Sequence, residues 1–480
     1  MAAGSIQSAL PASCKVSTPT SDDTVYTFLS KRWSTLGDSK LPFAAVVPGT
    51  EDDVVAVVRY AATHGLKVLP QCGACGGVVV TMSKTLYVDM EKFRSVQVDA
   101  DAQAVTFGGG ALTWDVLPAV TGRGFYTAWP NIGAVGLVGN ILGGGINLVQ
   151  GIRGHTCDNL ISARMVTASG EVVEVSSSST GREKELFNVL KGAGAGFGVI
   201  LSLTCRIYPM SELDLEDGTK ISEIDAMFTQ ENFDAAGEQW EKFQGYQGKA
   251  ALNFVLMTGP PNCPTPGKPV IVFGGSFAGP ASEAEKAFAP LQDPRIKNKA
   301  AFAMPKLTEF GKMNDRRDMM MRKGAHLDCF NGLMKNLSKK SFLRAADRFA
   351  ELLDKHGADI GAKMTVFYHM HSETLTRVEG GSDGFMCYRD RDYMQQTVPW
   401  NVADGFTGVV RQYGADILEI ARSEDQADGL PNGILAGNAR VEADMAEVLS
   451  TEKLEVVRNM KQQWDPNGVF WSAAMDGWAC

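Results

Sequence analysis

The hydrophobic pattern divides the chain into short elements of two periods. Val54, Val57, Val58 and Ala61 recur at helical spacing behind the acidic start Glu51-Asp52-Asp53. That spacing predicts a helix with one apolar face. Thr50 is placed to cap it, Asp53 to close the capping box, and Gly65 to end it. The period then shortens. Lys67 to Pro70 and Thr85 to Asp89 read as strands on either side of the loop Gln71-Cys72-Gly73-Ala74-Cys75-Gly76-Gly77. Val105-Thr106-Phe107 runs into Gly108-Gly109-Gly110 and a helix carrying Trp114, Val116 and Leu117. Ala163–Thr167 and Val172–Val175 flank Ala168-Ser169-Gly170-Glu171, a hairpin signature. Leu186 to Leu190 reads as a short helix before a third glycine cluster, Gly192 to Gly198.

Near residue 210 the texture changes. Glycine clusters thin out, and strands are expected at Leu252–Leu256, Val270–Phe273 and Met364–His371, with a helix from Ser341 to Leu353. A last helix is expected from Glu452 to Gln463, with Leu454, Val457 and Met460 on one face, stopped by Asp465-Pro466-Asn467-Gly468.

The run Trp129 to Gly145 fits neither period. It is uncharged, and its glycines are too dense for an ordinary helix or strand, where each costs about 0.5–1 kcal/mol relative to alanine. Such backbone makes room either for a flat bound group or for a packed neighbouring strand. The loop 71–77 offers consecutive backbone N–H groups at a strand end with no opposing acid, the form of an anion-binding nest.

Composition narrows the partners. The 480 residues are 44% hydrophobic and 21% charged, with a net charge of −9. That balance argues against nucleic acid or an anionic membrane as the main partner, since both select a basic face. The uncharged stretch from Gly124 to Ile152 has the length of a membrane span, but Pro130, Asn131, Asn140, Asn147 and Gln150 argue against one. Met1 to Leu10 lacks the basic and apolar regions of a secretory leader. The nine cysteines therefore read as reduced thiols of a cytoplasmic protein. Cys72-x-x-Cys75 alone supplies too few ligands for a structural zinc site, and no metal is expected.

The order of these pieces resembles a family. Pro48-x-Thr50-x-x-Asp53-Val54, the loop at 71–77, Val88-Asp89-Met90, Gly108-Gly109-Gly110, the run 129–145, Asp158-Asn159-Leu160 and Gly194-Ala195-Gly196-Phe197-Gly198 follow one another as in the berberine bridge enzyme-like branch of the vanillyl-alcohol oxidase superfamily. Trp464-Asp465-Pro466-Asn467-Gly468 is similar to the usual end of that family, and Phe385 to Arg389 resembles the segment before its last helices. The resemblance implies an α+β fold: a two-subdomain FAD-binding domain of the PCMH type, and an α+β substrate domain whose antiparallel sheet lies over the flavin. It places an N-terminal segment at 1–39, the FAD domain at 40–210, the substrate domain at 211–430 and a returning C-terminal segment at 431–480. It also implies that Gln71, Cys72, Gly73, Ala74, Cys75 and Gly76 hold the FAD pyrophosphate. Gly133, Gly136, Gly139, Asn140, Gly144 and Gly145 would line the flavin and ribityl chain, and Gly198, Val199 and Ile200 would pass the adenine and ribityl side.

The sequence departs from the family where FAD is usually tethered. Cys75 stands where a histidine is usual, Ile132 or Gly133 where a cysteine is usual, and Ala436-Gly437-Asn438-Ala439 lacks the tyrosine of a Tyr-x-Asn pair. Non-covalent FAD is the expectation; a thioether at Cys75, or loss of FAD, are the alternatives. The expected function is an FAD-dependent oxidoreductase acting on a small to medium apolar metabolite of secondary metabolism. The alternative is a non-redox isomerase or cyclase using the same cavity. For the catalytic base, His369 and His371 share one face of a strand, and Tyr388 and Glu373 are the other candidates. Arg389 is a candidate beside Tyr388, and His155 is expected near the core of the flavin domain, either at the site or as a satisfied core histidine.

Overall fold

The computed structural model describes residues 4–19, 32–34, 41–76, 83–246, 248–318, 323, 329–360, 364–370, 383–400, 405–439 and 443–476. Three main sheets organise them. The first joins β1 (Lys15–Ser17), β2 (Ala44–Val47), β3 (Lys67–Gln71) and β4 (Thr85–Asp89) in the order β1-β2-β4-β3. The β2–β4 and β4–β3 pairs are parallel, and β1–β2 is antiparallel. The connection from β2 to β3 is the helix Glu51–His64, and its capping box forms as the sequence predicts. The Thr50 hydroxyl accepts from Asp53 N at 3.2 Å, and the Asp53 carboxylate accepts from Thr50 N at 2.9 Å. Gly65 ends the helix at φ 61°, a left-handed conformation that glycine adopts freely.

The next strands are β5 (Val96–Asp99), β6 (Ala104–Gly108), the two-residue β7 (Phe125–Tyr126), β8 (Leu160–Val166), β9 (Val172–Ser176), β10 (Val199–Arg206) and β11 (Tyr208–Pro209). Five of them form an antiparallel sheet in the order β5-β6-β10-β8-β9, and β7 pairs with β11. The predicted hairpin is β8 and β9. The run 129–145 is not wholly irregular: Leu137–Leu142 makes a six-residue helix through Gly139, with Leu137, Val138 and Ile141 buried beneath it. Burial of those three side chains outweighs the helix cost of one glycine.

The third sheet lies wholly between residues 220 and 399. Its strands are β12 (Lys220–Thr229), β13 (Ala250–Thr258), β14 (Pro269–Phe277), β15 (Phe302–Glu309), β16 (Phe330–Met334), β17 (Met364–Met370) and β18 (Tyr393–Pro399). The order is β15-β12-β14-β13-β17-β18-β16, all antiparallel. On β13, Leu252, Phe254 and Leu256 are buried in one core with the helices Phe233–Phe243 and Lys339–Ile360. Trp240 is central to that core. Its ring stacks on Phe342 at 4.5 Å and its indole N–H donates to Leu337 O at 2.8 Å. The alternate residues Asn253, Val255 and Met257 face the opposite way, toward the first half of the chain.

The C-terminal helix Thr451–Trp464 returns the chain to the first sheet. Val68 N donates to Val469 O at 2.7 Å, and Trp471 N to Val68 O at 3.3 Å. Lys461 is buried there. Its ammonium donates to the Asp465 carboxylate, to Gly196 O at 2.6 Å and to Phe470 O at 3.1 Å. Asp465 in turn accepts from Val469 N and Phe470 N. Removing one partner of a buried pair leaves the other charge uncompensated. Lys461→Met is therefore expected to destabilise the protein by about 3–5 kcal/mol in chemical denaturation; a loss below about 1 kcal/mol would show that the pair does not fasten this segment.

Candidate active site

Between the glycine-rich half and the third sheet lies a cavity of about 980 Å³. One wall is the loop after β3. There Ala74 has φ 53° and its carbonyl accepts from Trp33 N at 2.8 Å, so the chain turns sharply at the strand end. Lys323 donates to Gly73 O at 3.0 Å. A second wall is the helix Leu137–Leu142, and a third is the C-terminal stretch Leu435–Asn438 with Trp471–Ala474. The fourth is the exposed face of the third sheet, with Asp225, Met227, Asn253, Val255, Phe367 and His369 among its lining side chains.

The glycines separate into two kinds. A Cβ on Gly73 would lie 2.2 Å from Gly136 N, and one on Gly136 would lie 2.3 Å from Gly73 N. Here glycine serves the packing of backbone on backbone. Likewise, a Cβ on Gly109 would meet Ile200 O at 2.0 Å and one on Gly198 would meet Val166 O at 2.6 Å. Gly139 and Gly437 differ: both line the cavity, and a Cβ at either would meet no protein atom within 4 Å. No neighbouring protein atom accounts for glycine there. The open space at both faces the cavity, where a long flat cofactor along the loop 71–76 and the helix 137–142 would fit.

The structure places most of the predicted cofactor residues on this lining: Gln71, Cys72, Gly73, Ala74, Cys75 and Gly76, then Gly136, Gly139, Asn140 and Gly145, then Gly198 and Ile200. Three predicted positions stand off it. Gly133 N donates to Asp318 Oδ1 at 2.5 Å, and a Cβ there would strike Trp114. Gly144 has φ 96° and lies under Met386. Val199 is fully buried in the core beneath the first sheet, because alternate residues of a strand face opposite ways.

Both loop thiols are protonated at neutral pH. Burial pushes Cys75 up to about 11 and Cys72 up to about 12. Cys75 Sγ lies 3.3 Å from both Ala134 O and Gly73 O, either of which can accept its single S–H. A thiol in that state is a poor nucleophile.

Of the catalytic candidates, His369 lies on the lining. Its ring is stacked on Phe367 at 6.3 Å with 13° between the planes. His371 and Glu373 fall outside the described residues. Tyr388 stands off the lining: its hydroxyl donates to Ala446 O at 2.6 Å and its ring packs on Gly433. Arg389 pairs with Asp158 at 2.6 Å, tying the loop before β18 to the turn at His155–Asn159. His155 is buried there with Nδ1 3.1 Å from Gly145 O. Sequence reasoning missed Asn131, Asp225, Asn253, Arg317, Phe367 and Trp400 on the lining. The alternation Asn253-Val255-Met257 within a strand was the available signal for one of them; the others are brought in by long-range pairing.

Residues 42–176 match the family model described as FAD binding domain. An FAD-linked oxidoreductase of Aspergillus fumigatus, hasG, is 26% identical over 92% of both chains. Another from Aspergillus niger, azaL, is 35% identical over 39% of both chains. The chain thus spans about two-fifths of the length of the first relatives it matches. Among solved structures, Physcomitrella patens BBE-like 1 superposes with TM-score 0.80 at 16% identity, over 98% of both chains. The 6-hydroxy-D-nicotine oxidase of Arthrobacter nicotinovorans superposes with TM-score 0.77 at 18% identity, over 95% of this chain and 96% of that one. The fold is the α+β fold of these flavoproteins, with an FAD binding domain at its N-terminal side. The chain thus carries an FAD binding domain over residues 42–176 and is similar along most of its length to an FAD-linked oxidoreductase.

Proposed function

We propose that the protein oxidises a small to medium, largely apolar metabolite with FAD held non-covalently and His369 as the base. The observation that carries this reading is the single cavity that joins the glycine-lined loop and helix to the imidazole on the third sheet. FAD, when bound, supplies the acceptor for the hydride leaving the substrate carbon. This chain's residues do the rest. The apolar side chains Met227, Val255 and Phe367 receive the body of the substrate, burial of apolar surface excludes water, and the His369 imidazole accepts the proton from the oxidised group. The 211–430 segment is the substrate domain in this reading. The relatives' names, FAD-linked oxidoreductases and an oxidase, do not favour a non-redox isomerase or cyclase. Substrate should bleach the flavin band without oxygen and leave a product lighter by two hydrogens. A product of unchanged mass with the band intact would overturn the reading.

Non-covalent FAD has its own test. Cys75→Ala is expected to leave flavin content unchanged, with the flavin in the supernatant after acid precipitation of both proteins. A coloured pellet from the wild type that disappears in the variant would establish a thioether instead. A cytoplasmic location also belongs to this reading, supported by the eight described cysteines being free thiols. No helix among the described residues is long and apolar enough to cross a membrane.

A further inference from the structure

Gly133 stands off the cavity lining, and its neighbours show why. A Cβ there would lie 1.9 Å from the Trp114 indole nitrogen and 2.7 Å from Asp318 Oδ2. Both groups come that close because they bond. Gly133 N donates to Asp318 Oδ1 at 2.5 Å, Trp114 Nε1 donates to Asp318 Oδ2 at 2.7 Å, and Trp114 N donates to Gly133 O at 2.9 Å. The three residues form a closed hydrogen-bonded ring. Four residues before Asp318, Asn314 Nδ2 donates to Pro130 O at 3.0 Å. Pro130 and Gly133 are thus both held, and the two residues between them, Asn131 and Ile132, lie on the cavity lining.

The holding side chains come from the other half of the chain. Asn314 and Asp318 follow β15, an edge strand of the third sheet. Phe310 and Met313 seat their segment: both are buried, and Phe310 meets Trp129 edge-on at 5.7 Å. Arg317, between the two anchors, lines the cavity as well. The seat is apolar and buried, whereas the ring reaches the surface, with Trp114 50% exposed.

We infer that Asp318 is a positioning residue for the cofactor: through this ring it fixes the wall at Asn131 and Ile132 before FAD binds. The inference rests on reading the cavity as the FAD site. A wall already in place needs less ordering on binding than a loose one, and a carboxylate holds two N–H donors more strongly than a neutral acceptor does. Without it, the Gly133 peptide and the Trp114 indole lose their acceptor together, and the stretch 131–133 loosens. Phe310, Met313 and Asn314 keep the segment docked, so the effect falls on FAD affinity rather than on the fold. Linkage makes the effect reciprocal: FAD, when bound, tightens the ring.

The test titrates the full chain, freed of flavin, with FAD. Asp318→Ala is expected to weaken FAD binding about tenfold, within the usual range for coupled sites. The melting temperature of the flavin-free protein should fall by no more than about 4 °C. Asp318→Asn keeps one carbonyl oxygen for two donors and is expected to weaken binding about threefold. Trp114→Phe, at an exposed position, removes one donor without adding bulk and should also lose about threefold. The indole N–H of Trp114, followed in protein labelled with nitrogen-15 and assigned by its absence from Trp114→Phe, gives a readout that packing alone would not move. Saturation with FAD should slow its exchange with water in the wild type and leave it unchanged in Asp318→Asn. Wild-type FAD affinity in both Asp318→Ala and Trp114→Phe would overturn the inference. So would a loss in Asp318→Ala that accompanies a larger fall in melting temperature while Trp114→Phe binds FAD as the wild type does. A wild-type protein that takes up no FAD would overturn the reading of the cavity, and the inference with it.

Discussion

Gly139→Leu is expected to lower the flavin content of the purified protein sharply while leaving its fold intact. A Cβ at Gly139 meets no protein atom within 4 Å, and the residue lines the cavity. The new side chain therefore has only the cavity to enter. Overpacking a fitted site costs about 1–3 kcal/mol, which lowers affinity roughly 5- to 150-fold. Leucine is also the better helix former, by roughly 0.5–1 kcal/mol, so the melting temperature of the flavin-free protein should hold or rise. Gly136→Leu makes the contrast. Its Cβ would strike Gly73 N and Cys72 Sγ, so this variant should lose stability as well as flavin. Equal flavin content in Gly139→Leu and the wild type would show that the helix 137–142 does not border the cofactor.

His369→Ala should lower the rate of substrate-driven flavin reduction by about 10²–10⁴, the usual contribution of a positioned general base. Flavin content should stay as in the wild type, because His369 lies on the sheet wall rather than in the glycine cradle. The pH–rate profile separates this role from a packing role: the limb that reports the base should vanish in the variant. A variant that keeps both its rate and its pH limb would move the base elsewhere.

Much of the first half was legible because its signals are local. Thr50, Asp53 and Gly65 specify a helix end by end, and the capping contacts form as written in the sequence. The loop after β3 and the run from Trp129 are marked by glycine, whose reason can be judged residue by residue once the backbone is placed. Sequence alone offered two reasons for those glycines, and the backbone separates them: Gly73 and Gly136 lie backbone against backbone, while a Cβ on Gly139 would meet only the cavity. Gly133, Gly144 and Val199 show the limit. They neighbour lining residues in sequence, yet face a clasp with Asp318, the Met386 side chain and the core respectively. The sheet wall was barely legible. Asp225, Asn253 and His369 come from three strands that are far apart in the chain, and only the register of the seven-stranded sheet sets them in one row. Tyr388 illustrates the same point in reverse, since its phenol is taken by a backbone carbonyl from the returning C-terminal segment.

The most direct test of the account is the visible spectrum of the protein, purified and then saturated with FAD, followed by acid precipitation. The expected result is a flavin spectrum near one FAD per chain, with the colour released into the acid supernatant. A protein that takes up no flavin would contradict it.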